Sequence, residues 1–236
     1  MFERVHHQRI AAVLQALDAE LLEQRNCLFG GGTAIALCFG EYRESVDIDF
    51  LVSDVAGYRD LRQRLTGVEG LQALVRRGAT LQAARELRAD QYGIRTIVEV
   101  DGAPIKFEIV LEARMSLDAP TATDRLCGVA TLTRSDMVAS KLLANSDRWA
   151  DDSVFSRDLI DLAMMQPKGK LREQATAKAR LAYGDSIDAD LAKAVDALLG
   201  RAGRLERCMS AMQIALPKAQ LWQRIQALVP RRKVAR

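Results

Sequence analysis

Histidine is scarce in this sequence, and its scarcity excludes one class of enzyme and argues against another. The 236 residues include two histidines, the neighbours His6 and His7, which lie near the start of an amphipathic helix predicted over residues 3–24. So few histidines in this place exclude a histidine-rich zinc enzyme and disfavour a Ser-His-Asp triad. Acid–base chemistry in this protein must therefore use carboxylates, lysine or water.

Paired cysteines and long apolar runs are also missing. The four cysteines are scattered and none forms a Cys-x-x-Cys motif, which disfavours a zinc site or a disulfide framework. No apolar run reaches the roughly 18 residues of a membrane span, and the opening Met-Phe-Glu-Arg lacks the core of a signal peptide. We therefore expect a cytoplasmic protein with reduced thiols and no membrane segment.

The sequence has little excess of charge of either sign. Its net charge is +3, so the molecule as a whole is not a basic nucleic-acid-binding protein, and any such surface must be local. With 49% apolar and 28% charged residues, the composition is typical of a globular protein. The length suffices for one large domain or two modest ones with real cores.

The most informative stretch runs from Gly30 to Val52. It begins with a turn of three glycines and Thr33, which follows an apolar lead-in and precedes a short helical run. Glycines between a strand and a helix let the backbone approach an anionic group closely, and the amides at the helix start can then hold a phosphate. The Thr33 hydroxyl would add a donor. We predict a phosphate-binding turn that includes Gly31 and Gly32.

Two acids, two residues apart, follow this turn on a predicted strand over residues 45–50. Alternate side chains of a strand share a face, so one face is apolar and buried: Val46, Ile48 and Phe50. The other face carries Ser45, Asp47 and Asp49. Like charges this close repel unless a cation lies between them, and magnesium suits carboxylates beside phosphates. The alternative is a sheet with a solvated face and an ordinary glycine turn.

A β-hairpin further along the chain offers a third carboxylate. An Asp-Gly turn joins two runs typical of strands, residues 96–100 and 105–110. A third carboxylate on a neighbouring strand would complete the ligand set of a metal held by the paired acids, and it could accept a proton from a reacting hydroxyl. Glu108 is the candidate and Glu99 the fallback. The alternative is that Glu108 and Lys106 form only a surface pair.

Together these motifs resemble a known family. Gly-Gly-Thr followed by Arg43-x-Ser45-x-Asp47-Ile48-Asp49-Phe50 is similar to the signature of the AbiEii/AbiGii-type toxins within the polymerase-β-like nucleotidyltransferase superfamily. The resemblance implies an α+β fold, with a nucleotidyltransferase core of mixed β-sheet flanked by helices and an all-helical C-terminal domain. A loop-like linker before residue 129 sets the expected domains at 1–128 and 129–236.

The resemblance also assigns residues in the second half of the chain. The family has a lysine followed by Arg-Asp-x-x-Asp, and this sequence has Lys141 followed by Arg157-Asp158-Leu159-Ile160-Asp161. It implies that Lys141 neutralises triphosphate charge and that Asp158 or Asp161 orients the lysine or the nucleotide. The alternative is an interhelical ion pair that ties the second domain to the first.

The mechanism implied by the resemblance is in-line attack of a hydroxyl on the α-phosphorus of an NTP, with release of pyrophosphate. The ligands of a two-metal magnesium site would be Asp47, Asp49 and Glu108. The glycine turn, Thr33 and Ser45 would cradle the β- and γ-phosphates. Arg43 would contact phosphate, or would instead pair with Glu41 or Glu44. Many relatives carry aspartate where this chain has Glu108.

The motifs do not identify the acceptor. The resemblance implies a toxin of a type IV toxin–antitoxin or phage-defence system, with tRNA 3′ ends as acceptor and an antitoxin as partner. The alternatives are a small-molecule acceptor such as an aminoglycoside, a protein hydroxyl, or a non-catalytic nucleotide-binding module. A small acceptor predicts a narrow acidic pocket, whereas tRNA predicts a basic cleft rim.

Three segments of the sequence are rich in basic residues, and one of them is the candidate contact for such an acceptor. The densest spans residues 168–180, and a tRNA-sized substrate would use it. A second, the tail at 230–236, is interpreted as a solubilising end. A third group of arginines is interpreted as a solvated face rather than a polyanion contact: Arg76, Arg77, Arg85 and Arg88.

Overall fold

A computed structural model of the chain describes residues 2–229. The predicted basic tail at 230–236 lies outside the described residues. The chain divides into two compact units between Arg134 and Ser135, each with a buried apolar core. No helix within the described range combines the length and apolar character that crossing a membrane requires.

The division between the units falls slightly beyond the predicted domain boundary. The segment just after residue 128 belongs to the first unit, because the backbone N–H of Leu132 donates to the carbonyl of Phe29, with a nitrogen–oxygen distance of 3.0 Å. The fold alone does not test whether the first unit is the catalytic core, so that assignment stays a prediction.

A mixed sheet is the centre of the first unit. The strands of this unit are β1 (Leu28–Gly30), β2 (Ile48–Val52), β3 (Gln82–Ala83), β4 (Arg88–Ala89), β5 (Gly93–Val100), β6 (Ala103–Leu111), β7 (Arg125–Leu126) and β8 (Val129–Ala130). The main sheet has the order β1-β2-β6-β5-β3, with β4 also paired to β5, and β7 pairs with β8. β2 runs parallel to β6 and antiparallel to β1. This mixed sheet with flanking helices confirms the α+β class.

The first unit's helices differ from the prediction at the start of the chain. They are α1 (Val5–Ala16), α2 (Ala19–Gln24), α3 (Gly31–Cys38), α4 (Val55–Leu65) and the 3-10 helix Gly70–Leu74. The single helix predicted over residues 3–24 is wrong, because Asp18 interrupts it. The Asp18 carboxylate caps α2 by accepting from the Leu21 N–H at 3.0 Å, and the Asp18 N–H donates to the Leu74 carbonyl at 2.8 Å.

The strand that carries the paired acids begins later than predicted. It starts at Ile48, so Asp47 lies just before it and Asp49 within it. Ile48 and Phe50 are fully buried as expected, whereas Val46 is 48% exposed. The expectation that Val46 joins the core is therefore wrong, since the alternation of faces does not extend into the preceding loop.

The predicted hairpin is confirmed. β5 and β6 pair antiparallel, and the turn between them consists of Asp101 and Gly102. Their φ angles are 50° and 71°, so both lie in the left-handed region that a type I′ turn requires. This turn fixes the register that sets Glu108 opposite Arg95.

The second unit is helical, as predicted. Its helices are α5 (Arg134–Arg148, whose first residue belongs to the first unit), the 3-10 helix Asp152–Val154, α6 (Arg157–Met165), α7 (Gly169–Tyr183), α8 (Ser186–Leu199), α9 (Arg204–Ala211) and α10 (Lys218–Gln226). The sequence predicts three or four amphipathic helices between residues 170 and 228, and the structure has four there, α7 through α10. Their buried residues recur at helical spacing, which is the pattern that predicts them.

Three phenylalanines join the strands on the buried side of the sheet. The ring centroids of Phe29 and Phe50 lie 5.5 Å apart, and those of Phe50 and Phe107 lie 5.7 Å apart. All three side chains are almost completely buried. They link β1, β2 and β6, which are the strands that position the glycine turn and the acids.

Replacing Phe50, the central ring of the three, should make the first unit less stable. We expect Phe50→Ala to lower the free energy of unfolding by about 3–5 kcal/mol, because it removes a large buried side chain and leaves a cavity. The measurement is chemical denaturation followed by far-UV circular dichroism. The matched control is Val68→Ala, at a fully exposed apolar position, and equal midpoints for the two variants would contradict the prediction.

Candidate functional site

One row across the sheet sets the acids between the glycine turn and two arginines. The backbone register pairs Gly30 with Asp49, and Asp49 with Glu108. It continues from Glu108 to Arg95, and from Arg95 to Arg88. Residues opposite each other on neighbouring strands share a face. Across this face the glycine turn therefore lies at β1, the carboxylates lie on β2 and β6, and the guanidinium groups lie on β5 and β4.

The glycine turn lets an acid approach the start of α3 closely. Gly31 has a φ of 67°, which L side chains rarely adopt. A Cβ at this position would collide with Oδ2 of Asp49 and lie 2.9 Å from the Cβ of that residue. A side chain at position 31 would therefore displace the Asp49 carboxylate. Here the glycine is needed both for its backbone conformation and for the space it leaves.

Two hydroxyls predicted to cradle phosphate lie in contact. The Oγ1 of Thr33 donates to the Oγ of Ser45 at 2.8 Å, and Thr33 is almost completely buried. This bond joins the first turn of α3 to the loop that precedes β2. The predicted phosphate-binding turn and the predicted acid strand are thus connected by their own side chains.

Two histidines, for which the sequence reasoning found no role, hold the same loop. His7 is fully buried, its Nδ1–H donates to Oε1 of Glu41 at 2.7 Å, and its Nε2 accepts from the Ser45 N–H at 3.2 Å. Nε2 of His6 donates to the carbonyl of Val46 at 3.0 Å. One sequence signal could have indicated His7, because it lies on the apolar face of the predicted helix.

The surroundings of His7 keep its ring neutral. Burial lowers the pKa of His7, and the neighbouring Glu41 carboxylate opposes that shift without overcoming it. Burial raises the pKa of Glu41, but hydrogen bonds from the Glu3 N–H and His7 outweigh burial and the net pKa is lowered. A neutral ring with its proton on Nδ1 is also the form that can accept from the Ser45 N–H.

Arg43 lies in the interior of the same loop. It is 4% exposed, its Nη1 donates to the Glu44 carbonyl at 2.9 Å, and its guanidinium carbon lies 5.9 Å from the centre of the Tyr42 ring. These contacts give it a part in shaping the loop. Its predicted contact with phosphate stays a prediction.

Glu108 is held by two cations. Its Oε1 lies 2.5 Å from Nε of Arg95, and its Oε2 lies 2.5 Å from Nζ of Lys106. Burial raises the pKa of Glu108, but Lys106 and Arg95 outweigh burial and lower it overall. Burial lowers the pKa of Lys106, but the negative charges of Glu108, Asp47 and Asp49 outweigh burial and raise this pKa overall. The Lys106 ammonium therefore lies within the field of all three carboxylates.

The predicted group of three metal ligands is not assembled in the structure. Between residues 2 and 229 there is no group of three or more His, Cys, Asp or Glu side chains arranged to hold a metal ion. Glu108 instead pairs with Arg95 and Lys106. Asp47 and Asp49, beside a turn without side chains, fit a hard divalent cation that takes its remaining ligands from phosphate and water oxygens.

The second unit contains a cluster of four charges, three of them buried. Nζ of Lys141 on α5 lies 2.8 Å from Oδ1 of Asp158 and 2.7 Å from Oδ2 of Asp161, both on α6. Nε of Arg148 lies 2.7 Å from Oδ2 of Asp158. The predicted ion pair exists, but both partners lie in the second unit, so the expectation that it ties the second domain to the first is wrong.

The cluster keeps Asp158 ionised. Burial raises the pKa of Asp158, but the charge of Lys141 and the hydrogen bonds from Arg148 outweigh burial and hold the pKa well below its usual range. Lys141, Asp158 and Asp161 are each at most 5% exposed. Lys141 contacts both acids at similar distances, so the structure does not single out one of them as its partner.

Comparison with known families identifies the chain. A family model described as the nucleotidyl transferase AbiEii toxin of a type IV toxin–antitoxin system matches residues 12–231. The chain belongs to the AbiEii family. As an AbiEii protein it is a nucleotidyltransferase, and family membership implies a nucleotide substrate and an antitoxin partner. The family generally uses an NTP and a divalent metal.

Solved structures from Helicobacter pylori are also similar to this AbiEii chain. One, a provisionally assigned nucleotidyltransferase, is 18% identical over 94% of this chain and 92% of its own, with a TM-score of 0.48. JHP933 is 15% identical over 96% of this chain and 92% of its own, with a TM-score of 0.49. A search of curated proteins finds no match. The family model therefore carries the assignment.

The basic stretch predicted to contact RNA in the second unit of the AbiEii chain is largely engaged. Lys178 pairs with the buried Asp136, and Arg180 pairs with Asp188. Arg172 donates to a backbone carbonyl just after α10. Three of the basic side chains in this stretch thus already serve contacts within the unit, which leaves it a weaker candidate for RNA than the sequence indicates.

The His7 clamp, formed by His7 with Glu41 and the Ser45 N–H, should make the first unit of this AbiEii protein sensitive to mild acid. Because folding lowers the pKa of His7, the unfolded chain binds the proton more tightly. The stability that neutral His7 contributes is present above the ordinary histidine pKa of about 6.5 and is lost as the pH falls below it. We expect the unfolding free energy to decrease between about pH 7.5 and 5.5.

His7→Gln should flatten this pH dependence, and His6→Gln should preserve it because His7 remains. Both are measured by denaturation at several pH values, followed by circular dichroism. Equal slopes for wild type and His7→Gln would show that the clamp does not titrate.

Breaking the buried charge cluster should destabilise the second unit of the AbiEii chain. We expect Asp158→Ala to cost about 3–5 kcal/mol, because it leaves the buried Lys141 ammonium with one of its two carboxylates. Both tryptophans, Trp149 and Trp222, lie in this unit, so fluorescence-detected denaturation reports on it.

The matched control is Asp188→Ala. It breaks an ion pair whose side chains are nearly half exposed, and solvent-screened pairs of this kind contribute little to stability. Similar losses of stability in the two variants would mean that the buried cluster has no special weight.

Proposed function

We propose that this AbiEii protein transfers a nucleoside monophosphate from an NTP to the 3′ hydroxyl of an RNA, with tRNA as the acceptor class and magnesium as the metal. The observation that carries the proposal is the approach of the Asp49 carboxylate to Gly31 at the start of α3. It sets an acid suited to metal binding directly against a turn suited to phosphate binding.

The phosphate-binding half of the proposed site is the glycine turn. The backbone amides of Gly31 and Gly32 lie in the first turn of α3, where N–H groups lack helical partners and favour an anion. The Ser45 hydroxyl accepts from Thr33, so its own proton would be available to the β- and γ-phosphates, and Thr33 would orient it from within the turn. His7 acts as a positioning residue, because it accepts from the Ser45 N–H.

The metal-binding half consists of Asp47 and Asp49, which would hold magnesium together with phosphate oxygens. When bound, the ion neutralises phosphate charge and makes the acceptor hydroxyl more acidic. Glu108, opposite Asp49 in the sheet, is ionised at neutral pH because Lys106 and Arg95 hold its pKa low. An ionised Glu108 can accept a hydrogen bond from the attacking hydroxyl and orient it.

Lys141 is proposed to neutralise charge on the triphosphate. The support for this role is the family's lysine followed by Arg-Asp-x-x-Asp. Asp158 and Asp161 both contact its ammonium and would both orient it. Arg43 is proposed to act on phosphate only indirectly, by shaping the loop that carries Ser45.

The surroundings of the acids favour an anionic acceptor. Arg95 and Arg88 continue the row beyond Glu108, and Lys106 lies beside it. A cationic aminoglycoside would be repelled by these groups, whereas the phosphates of an RNA would be attracted. This charge pattern supports RNA over the small-molecule alternative. The antitoxin partner and a cytoplasmic location complete the proposal.

The test is incubation of the purified protein with each α-labelled NTP, magnesium and total tRNA. We expect label to enter the RNA with wild type, and the rate to fall by at least about a hundredfold in Asp47→Asn and Asp49→Asn, which keep side-chain size and remove the charge. Glu69→Gln, at an exposed acid just before the 3-10 helix Gly70–Leu74, is the matched control.

The outcomes separate the alternatives. NTP binding without transfer to RNA, but with label on protein or on a small hydroxyl compound, would replace the acceptor. No magnesium-dependent NTP binding would contradict the enzymatic proposal and leave a non-catalytic interaction module.

A further inference from the structure

A basic cavity opens beside the acids on the first unit's sheet. Its volume is about 500 Å³. The charged residues that line it are Arg85, Glu86, Arg88, Arg95 and Lys106. Thr96 and Ile97 of β5 complete the lining. Four cations and one acid thus surround a space large enough for a nucleotide-sized group.

The four cations of the cavity are not equally engaged. Arg95 and Lys106 share the carboxylate of Glu108. The guanidinium groups of Arg85 and Arg88 are exposed and make no hydrogen bond or ion pair within the described part of the chain. The backbone at Arg85 is nevertheless fixed, because its carbonyl accepts from Oγ1 of Thr96 at 2.8 Å. Arg85 and Arg88 therefore add two positive charges to the lining that no ion pair neutralises, beside the single acid Glu86.

The strand order shows on which side of the acids the cavity lies. The glycine turn follows β1, the acids lie on and before β2 and on β6, and the cavity is lined from β4, β5 and β6. The acids therefore separate the turn from the cavity. In-line nucleotidyl transfer requires the attacking hydroxyl and the leaving pyrophosphate on opposite sides of the α-phosphorus. If pyrophosphate leaves at the turn, the acceptor must enter from the side of the cavity.

We propose that the cavity lined by Arg85, Arg88, Arg95 and Lys106 binds the phosphodiester backbone of the acceptor RNA next to its reacting 3′ hydroxyl. The inference rests on the proposed function, since the turn fixes which side is left for the acceptor. Arg85 and Arg88 supply the charge that neutralises the acceptor's phosphates. Arg95 and Lys106, already paired with Glu108, connect the bound strand to the acid that orients its hydroxyl.

The four arginines that the sequence analysis interprets as one solvated face have different surroundings in the structure. Arg85 and Arg88 line the cavity. Arg76 donates from Nε to the Gln15 carbonyl at 2.8 Å, and Arg77 is exposed outside the cavity. The chain thus provides charges of the same kind, in the same unit, inside and outside the proposed site.

The test compares two double variants that remove the same charge. Arg85→Gln/Arg88→Gln empties the cavity of its two unpaired cations. Arg59→Gln/Arg77→Gln removes two exposed arginines that do not line it. Binding of a fluorescent single-stranded oligoribonucleotide is measured without NTP over a range of salt concentrations. Binding of each magnesium–NTP is measured separately by calorimetry, and thermal unfolding confirms that both variants are folded.

We expect the cavity variant to bind the RNA about tenfold more weakly. The slope of log Kd against log salt concentration should decrease by about 0.7 for each RNA phosphate that the variant no longer neutralises. The control variant should stay within about twofold of wild type in RNA affinity, because its charges lie outside the cavity. Magnesium–NTP affinity should be unchanged in both.

Two results would overturn the proposal. Equal weakening of RNA binding in both double variants would indicate a general effect of charge. Loss of magnesium–NTP binding with intact RNA binding in the cavity variant would assign the cavity to the nucleotide. RNA binding that depends on Arg85 and Arg88, without any transfer of label by wild type, would support the cavity and contradict only the proposed reaction.

Discussion

The close approach of the Asp49 carboxylate to the backbone of Gly31 is the constraint on which the first unit's site depends. Pairing of β1 with β2 sets Gly30 opposite Asp49, so the turn and the acid approach each other without a connecting side chain. The Thr33–Ser45 bond and the His7 clamp then fix the loop that enters β2. Disturbing any of these interactions would move the acids relative to the turn.

Charge compensation explains how the acids coexist before a metal ion arrives. Asp47, Asp49 and Glu108 lie around the Lys106 ammonium, which carries a positive charge into their shared field. A cation among like charges reduces their mutual repulsion. The same compensation explains why three carboxylates do not form a ligand group in the structure, since two of the oxygens they offer are already held by Arg95 and Lys106.

Features set by near neighbours in sequence could be predicted, and features set by distant residues could not. The Asp101-Gly102 turn and the C-terminal helices follow from local patterns, which the structure confirms. The glycine turn and the paired acids were also readable. The His7–Glu41 hydrogen bond joins residues far apart in the chain, and the cations around Glu108 depend on strand register. No local pattern encodes either.

The buried cluster in the second unit gives a different kind of argument. Asp158 and Asp161 lie on one face of α6, and Lys141 and Arg148 lie two turns apart on α5. The three buried charges, Lys141, Asp158 and Asp161, contribute little net attraction between the helices, because desolvation offsets most of it and apolar residues would pack as well. The cluster therefore fixes the Lys141 ammonium more than it strengthens the packing of α5 against α6. A fixed ammonium is also what the proposed contact of Lys141 with a triphosphate would need.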